Sequence, residues 1–266
     1  MKKRVISAIV MTLGVGTLLY LGGIYWILFT SLLSLVAVWE FINIRKTKKD
    51  FPTLMKLLTY LSVLGIVVYS AINKSGTFNF NYGLLAGFFI IFLLPIVFIN
   101  DNEKYNIIDA FFLMGTVLFL GIALSFGVTL RNLDVVYIIY LALISILTDT
   151  FAYITGNLIG KHKLCEKISP NKTIEGFVGG SLIGTVVPSI YYLAVVNPHM
   201  NVFLIVLITL ILSVVGQLGD LLFSSVKRYY GKKDFSDLIP GHGGILDRLD
   251  SIIFVILVFA IFMQII

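Results

Sequence analysis

The sequence predicts an all-α, polytopic integral membrane protein with about nine transmembrane helices and two polar cytoplasmic loops. Three observations predict it. Of the 266 residues, 58% are hydrophobic and only 13% charged, whereas soluble domains hold roughly 45–50% apolar and about 25% charged residues. The apolar residues form runs long enough to cross a bilayer, which takes about 20 residues of helix. The basic residues gather at one set of run ends. Nine spans would use about 180 residues and leave no room for a large extramembrane domain. Cys165 is the single cysteine, so no intrachain bridge exists and a free thiol on the reducing side of a membrane is expected.

The first apolar run, 5–44, has Glu40 as its only charged member. As one helix it would be about 60 Å long, twice the bilayer, so Gly22-Gly23 near its middle divides it into two spans. A cleavable signal peptide is disfavoured because no Ala-x-Ala-like site separates them. The remaining expected spans are 53–72, 82–99, 109–130, 135–155, 177–196, 202–222 and 252–266. Residues 1–134 thus form an N-terminal group of about five helices. Residues 135–266 are expected to form a C-terminal membrane domain of about four, with loops 156–176 and 223–251, where function is expected.

Orientation follows from the rule that Lys and Arg stay cytoplasmic. With Lys2-Lys3-Arg4 inside and nine spans, only Lys74 and Arg131 of the 20 basic residues fall outside. The net charge of +6 is one basic face, turned to the cytosol and to anionic lipid, and no nucleic-acid partner is expected. The topology rule and lipid attraction account for the first two basic clusters. They do not account for the last two.

Loop 223–251 mixes cations with carboxylates: Ser224, Lys227, Arg228, Lys233, Asp234, His242, Gly243, Gly244, Asp247, Arg248 and Asp250. Phosphate chemistry uses both signs, because Lys and Arg neutralise phosphate oxygens while aspartates hold a hard divalent ion. Gly241, Gly243 and Gly244 allow a close backbone approach in which successive amides point at an anion. They serve equally for a sharp re-entry into the bilayer. Asp220 lies at the apolar end of a span, where a carboxylate is costly and a functional candidate by default. If the loop folds back, Asp220 and Asp247 reach one membrane boundary and share Mg²⁺. The alternative is a snorkelled Asp220 and an Asp247 paired with Arg248 or a neighbouring cation.

Loop 156–176 follows Asp149, late in a span, and ends in Ser169-Pro170-Asn171-Lys172-Thr173-Ile174-Glu175-Gly176. Ser169 or Thr173 suits an N-cap, and Glu175 suits the positive first turn of the next helix. The same helix start is also a natural anion site. Glu40 beside Trp39 reads as a snorkelled interface residue, and His162 and His199 as solvated. Three scattered histidines and one cysteine make no zinc site, and no Walker-type loop is present.

These residues carry a resemblance. Ser224-x-Val226-Lys227-Arg228, Lys233-Asp234, Ser236, Pro240-x-His242-Gly243-Gly244 and Asp247-Arg248-x-Asp250 resemble the signature of the integral-membrane phosphatidate cytidylyltransferases, or CDP-diacylglycerol synthases. The upstream Asp149-x-x-Ala152-Tyr153 and Ser169-Pro170-x-Lys172-Thr173-x-Glu175-Gly176 are similar to that family too. Asn171 departs from it, since the family often has a second lysine there.

The resemblance implies Mg²⁺-dependent transfer of CMP from CTP to phosphatidate, releasing pyrophosphate, and a homodimer in the bacterial inner or plasma membrane. It assigns the metal to Asp220 and Asp247, and phosphate neutralisation to Lys172, Lys227, Arg228, Lys233 and Arg248. Asp149, Asp234 and Asp250 follow as further ligands or orienters, with Thr173, Glu175, Ser224, His242, Gly243 and Gly244 at the substrates. Two other readings compete: a CTP-dependent polyprenol or dolichol kinase, and an ion-coupled transporter using Asp149 and Asp220.

Overall fold

The computed structural model describes residues 2–73 and 82–264. Lys74, expected on the side of the membrane away from the cytosol, and residues 75–81 lie outside the described residues. The helices are α1 (Lys2–Leu21), α2 (Gly23–Arg45), α3 (Thr53–Ile72), α4 (Tyr82–Ile99), α5 (Ile107–Leu133), α6 (Val135–Ile159), α7 (Ile174–Tyr191), α8 (Val202–Tyr229) and α9 (Leu246–Phe262). Two short strands, β1 (Lys163–Cys165) and β2 (Ser169–Thr173), lie between α6 and α7, and a π-helical turn, Tyr192–Val196, extends α7. Seven of the described helices, α2 to α8, are long and apolar enough to cross a membrane. The chain is an all-α polytopic integral membrane protein. The other two are shorter: the apolar part of α1 is Ile9–Leu21, and α9 has 17 residues.

Close packing divides the chain into two units, Met1–Asn132 with Asp234–Asp247, and Leu133–Lys233 with Arg248–Ile266. In the first, the expected break falls at Gly22 and Gly23, both at positive φ, where a side chain would be strained. Arg131 caps the end of α1, donating through Nε to Leu19 O (2.7 Å) and through Nη2 to Tyr20 O (3.3 Å). Such carbonyls have no intrahelical donor. Within the same unit Ser70 of α3 reaches Ser125 O (3.0 Å) and Thr129 Oγ1 (2.6 Å) of α5. At the start of α5, Asn106 and Asp109 exchange backbone-to-side-chain bonds in the reciprocal pattern of a capping box. Asp109 is fully buried and pairs with Arg45 and Lys49. These two cations therefore do structural work beyond the topology rule invoked for them above.

In the second unit α6 and α7 pack most closely, for a reason written in the glycines. Gly176, Gly180 and Gly184 recur at one-turn spacing on α7. A Cβ on Gly176 would meet Ala152 O at 2.6 Å, and one on Gly180 would meet Thr148 O at 2.6 Å. Small residues let helix backbones approach where burial in lipid offers no hydrophobic drive. Hydrogen bonds add to this: Tyr140 OH to Thr209 Oγ1 and Thr148 Oγ1 to Ser213 Oγ, each 2.7 Å, join α6 to α8. Gln217 of α8 donates to Phe177 O (3.1 Å) and Ser181 Oγ (2.8 Å) of α7. The antiparallel β1–β2 hairpin was not legible in the sequence, being too short to show an alternation.

Candidate active site

The polar loops contribute side chains to both units. In the C-terminal unit, Asp220 sits late in α8, where Ser224 one turn on donates to its Oδ1 at 3.3 Å. Lys172, carried by β2, places Nζ 2.6 Å from Asp220 Oδ2. The pair is close but not aligned as a hydrogen bond, and this ammonium is buried without another hydrogen-bond partner. Asp149 of α6 accepts from Ser251 Oγ at 3.1 Å and interacts electrostatically with Asp220, Lys172 and Arg248. Asp250 of α9 interacts in the same way with Asp220, Lys227 and Asp149. Three carboxylates from three helices thus gather with Lys172, Lys227 and Arg248 around them. Arg228 is turned to backbone, donating to Ile168 O (3.3 Å) and Lys232 O (2.8 Å), and Lys233 is exposed.

The start of α7 is built from the other expected residues. Thr173, one of the two candidates the sequence offers, is its N-cap, accepting from Gly176 N at 3.1 Å. Glu175 accepts from Lys161 N (3.1 Å) and His162 N (3.3 Å), and its Oε1 lies 2.6 Å from His162 Nδ1. His162 is therefore not merely solvated. Carboxylate and cap together clamp the β1–β2 hairpin to the helix that follows it. Thr173→Val keeps the shape and removes the acceptor, and is expected to cost about 1 kcal/mol, read as a lower thermal midpoint of the purified protein; an unchanged midpoint refutes the cap.

In the N-terminal unit, segment 234–247 folds as a tight turn. Ile239 N donates to Gly243 O (2.8 Å) and His242 N to Ile239 O (2.9 Å), with Gly241 and Gly243 at φ near +80°. His242 Nδ1 lies 2.9 Å from Ser7 Oγ. Asp247 Oδ2 accepts from Phe235 N and Gly244 N, both 2.9 Å. Asp234 is exposed, and its Cβ lies 3.3 Å from where a Cβ on Gly243 would stand.

The turn differs from the expected anion cradle in one respect. The amides of Gly244, Ile245 and Leu246 do not face an open space; they are taken by the carboxylates of Asp247 and Glu40. Glu40 is fully buried, so the snorkelled reading of it is wrong. A carboxylate in an apolar span needs donors at hand, and the turn supplies them.

Residues 2–266 match the Cytidylyltransferase family. The chain belongs to that family. Relatives named phosphatidate cytidylyltransferase include one from Staphylococcus haemolyticus (strain JCSC1435), 39% identical over 256 residues, and one from Staphylococcus epidermidis (strain ATCC 12228 / FDA PCI 1200), 40% identical. A third, from Staphylococcus aureus (strain COL), is 38% identical, and each alignment covers 96% of both chains. A cytidylyltransferase handles polyphosphates, and the mixed charges of the polar loops suit that task. Sequence reasoning named Asp149, Asp220, Asp250, Lys172, Lys227 and Arg248 individually, and the fold gathers them in one unit. It missed Glu40, whose signal was its standing as the only charge in a long apolar run.

Proposed function

We propose that this chain transfers CMP from CTP to phosphatidate, forming CDP-diacylglycerol and pyrophosphate at the cytoplasmic face of a bacterial plasma membrane. The reading is supported above all by the near full-length likeness to relatives carrying that name, with the signature residues in place. In the reaction a phosphate oxygen of phosphatidate attacks the α-phosphorus of CTP. The bond from that phosphorus to the β-phosphate oxygen breaks, and pyrophosphate leaves with the electron pair. Both substrates are polyanions, so positioning and charge neutralisation do most of the work. No covalent enzyme intermediate is needed, and near pH 7 the lipid phosphate is ionised enough to attack without a base.

Lys172, Lys227 and Arg248 are the cations beside the carboxylate cluster, and they neutralise phosphate oxygens. Lys172 has the buried ammonium whose hydrogen bonds are unmade, a donor suited to an incoming phosphate. Arg228, Lys233, Ser224, Asp234, His242, Gly243 and Gly244 are the remaining signature residues assigned to the substrates, and Thr173 and Glu175 hold loop 156–176 in shape.

The residues fit a magnesium ion. The donor set is carboxylate oxygen, the ligand type a hard divalent ion takes. Mg²⁺ is held in that manner, by one or two carboxylates with waters and substrate phosphates completing the octahedron. We assign it to Asp220, which faces the repulsion of Asp149 and Asp250, and to Asp247, whose Oδ2 is oriented by two amides. When bound, the ion supplies positive charge to the phosphate oxygens. Asp149 and Asp250 orient the cations around Asp220. Diacyl chains reach the headgroup site sideways from the inner leaflet, and the active form is a homodimer.

The test is purified protein with Mg²⁺, phosphatidate and CTP labelled in the cytosine ring. Label is expected in the lipid phase with stoichiometric pyrophosphate in the aqueous phase. A polyprenol kinase would leave all label in CDP, and a transporter would move solute without CTP. Either result rejects the proposal.

A further inference from the structure

Nearly two hundred positions of chain separate Glu40 from the signature turn; within its unit it is nevertheless the main acceptor of that turn. Its Oε1 accepts from Ser236 Oγ (2.5 Å) and Ile245 N (2.8 Å), and its Oε2 from Leu246 N (2.7 Å). Ile245 and Leu246 stand at the beginning of α9, where backbone N–H groups have no intrahelical acceptor and the helix dipole favours a negative charge. Glu40 thus caps α9 from another helix. Gly244 is required beside it, because a Cβ there would collide with both carboxylate oxygens of Glu40.

The adjacent residue works on the same turn. Phe41 stacks on Phe235 at 6.1 Å between ring centroids and on Phe112 at 5.5 Å. Phe235 in turn donates its N–H to Asp247 Oδ2. Two consecutive residues of α2 therefore hold both ends of segment 234–247: Phe41 the entrance, through an aromatic stack, and Glu40 the entrance through Ser236 and the exit through the amides of Ile245 and Leu246.

We infer that Glu40 is a positioning residue for the transfer reaction: a fully buried carboxylate in a membrane-spanning helix that fixes the Ser236 to Leu246 turn, and with it the orientation of Asp247. The α9 cap is occupied by the protein's own anion, so the turn is held in its working shape before substrate arrives. Glutamine cannot replace it. An amide nitrogen at Oε2 would face the Leu246 N–H, donor against donor, and the charge that strengthens all three bonds would be gone. The catalytic consequence rests on the proposed reaction; the anchoring of the turn does not.

The experiment uses the full chain in phospholipid nanodiscs, comparing Glu40→Gln and Ser236→Ala with the unaltered protein, with rates expressed per folded molecule. Amide exchange at Ile245 and Leu246 is expected to rise by about tenfold or more in Glu40→Gln, while exchange in α5 is unchanged. The ratio kcat/KM for CTP is expected to fall about 30-fold, by a higher KM as well as a lower kcat, since charged hydrogen bonds to the turn are lost. A merely structural loss would lower kcat at constant KM and loosen α5 as well. Ser236→Ala is expected to move both readouts in the same direction, by about threefold to tenfold. Unaltered exchange at Ile245 and Leu246, or unaltered kcat/KM, in Glu40→Gln overturns the inference. If Glu40→Gln fails to assemble, Ser236→Ala decides, and unaltered exchange and rates there overturn it. Should the unaltered protein transfer no label to phosphatidate, the reaction assigned above fails, and the exchange data still judge the anchor.

Discussion

Asp220→Asn is expected to lower CMP transfer about a thousandfold, in the range seen when a charged stabiliser of a phosphoryl-type transition state is lost, with the protein still folded and inserted. Asparagine preserves the shape of the side chain and its contact with Ser224, and removes the charge. That charge is what opposes Lys172 at 2.6 Å and what a magnesium ion would use. The readout is label transfer from CTP across a series of Mg²⁺ concentrations. Turnover above about a tenth of the original at ordinary Mg²⁺ would remove Asp220 from the metal site, since loss of a ligating carboxylate costs at least that much. Asp247→Ala should cost as much activity, with one difference: it also deprives Phe235 N and Gly244 N of their acceptor, so exchange in the turn should rise.

The second large effect is on stability. Asp109→Ala removes the carboxylate on which Arg45 and Lys49 converge, and breaking a buried pair from one side costs about 3–5 kcal/mol because the partner charge stays behind. Arg45 has nowhere to withdraw, as its guanidinium lies over the rings of Phe51 at 4.6 Å and Phe112 at 4.9 Å. The thermal midpoint of the detergent-purified protein should drop sharply, and the double variant Asp109→Leu with Arg45→Met should recover part of the loss, since an apolar pair leaves no buried charge. A midpoint unchanged in Asp109→Ala refutes the role. The cost would be independent of catalysis: rates per folded molecule should stay near those of the unaltered protein.

Most of the fold was legible because a bilayer imposes so few options. Apolar runs such as 202–222 announce themselves by length, and the Gly22-Gly23 break by the excess of that length over one membrane thickness. The cap at Thr173 was legible for a similar reason, being a local bond between a hydroxyl and an amide three residues on. Residues of the signature were legible by type and spacing. The β1–β2 hairpin was not, and neither was the true state of His162, which depends on Glu175 being folded back against it.

Glu40 marks where such reading stops. From sequence, one acidic residue beside Trp39 near a helix end is the ordinary picture of an interface residue. Its meaning lies in Ser236, Ile245 and Leu246, which no periodicity or local spacing connects to it. The same holds for Arg45, Lys49 and Asp109, read separately as topology signals and a span boundary until the helices bring them together.

The sequence alone determined that this chain lives in a membrane and roughly where it crosses, and it singled out the residues proposed here for phosphate chemistry, because hydropathy, charge bias and motif spacing are properties of neighbours along the chain. Only the tertiary structure decided which donors each buried carboxylate holds. The cost of an unpaired charge in an apolar span must be met by whatever group the fold delivers to it, and for Glu40 that group is the turn of the signature motif.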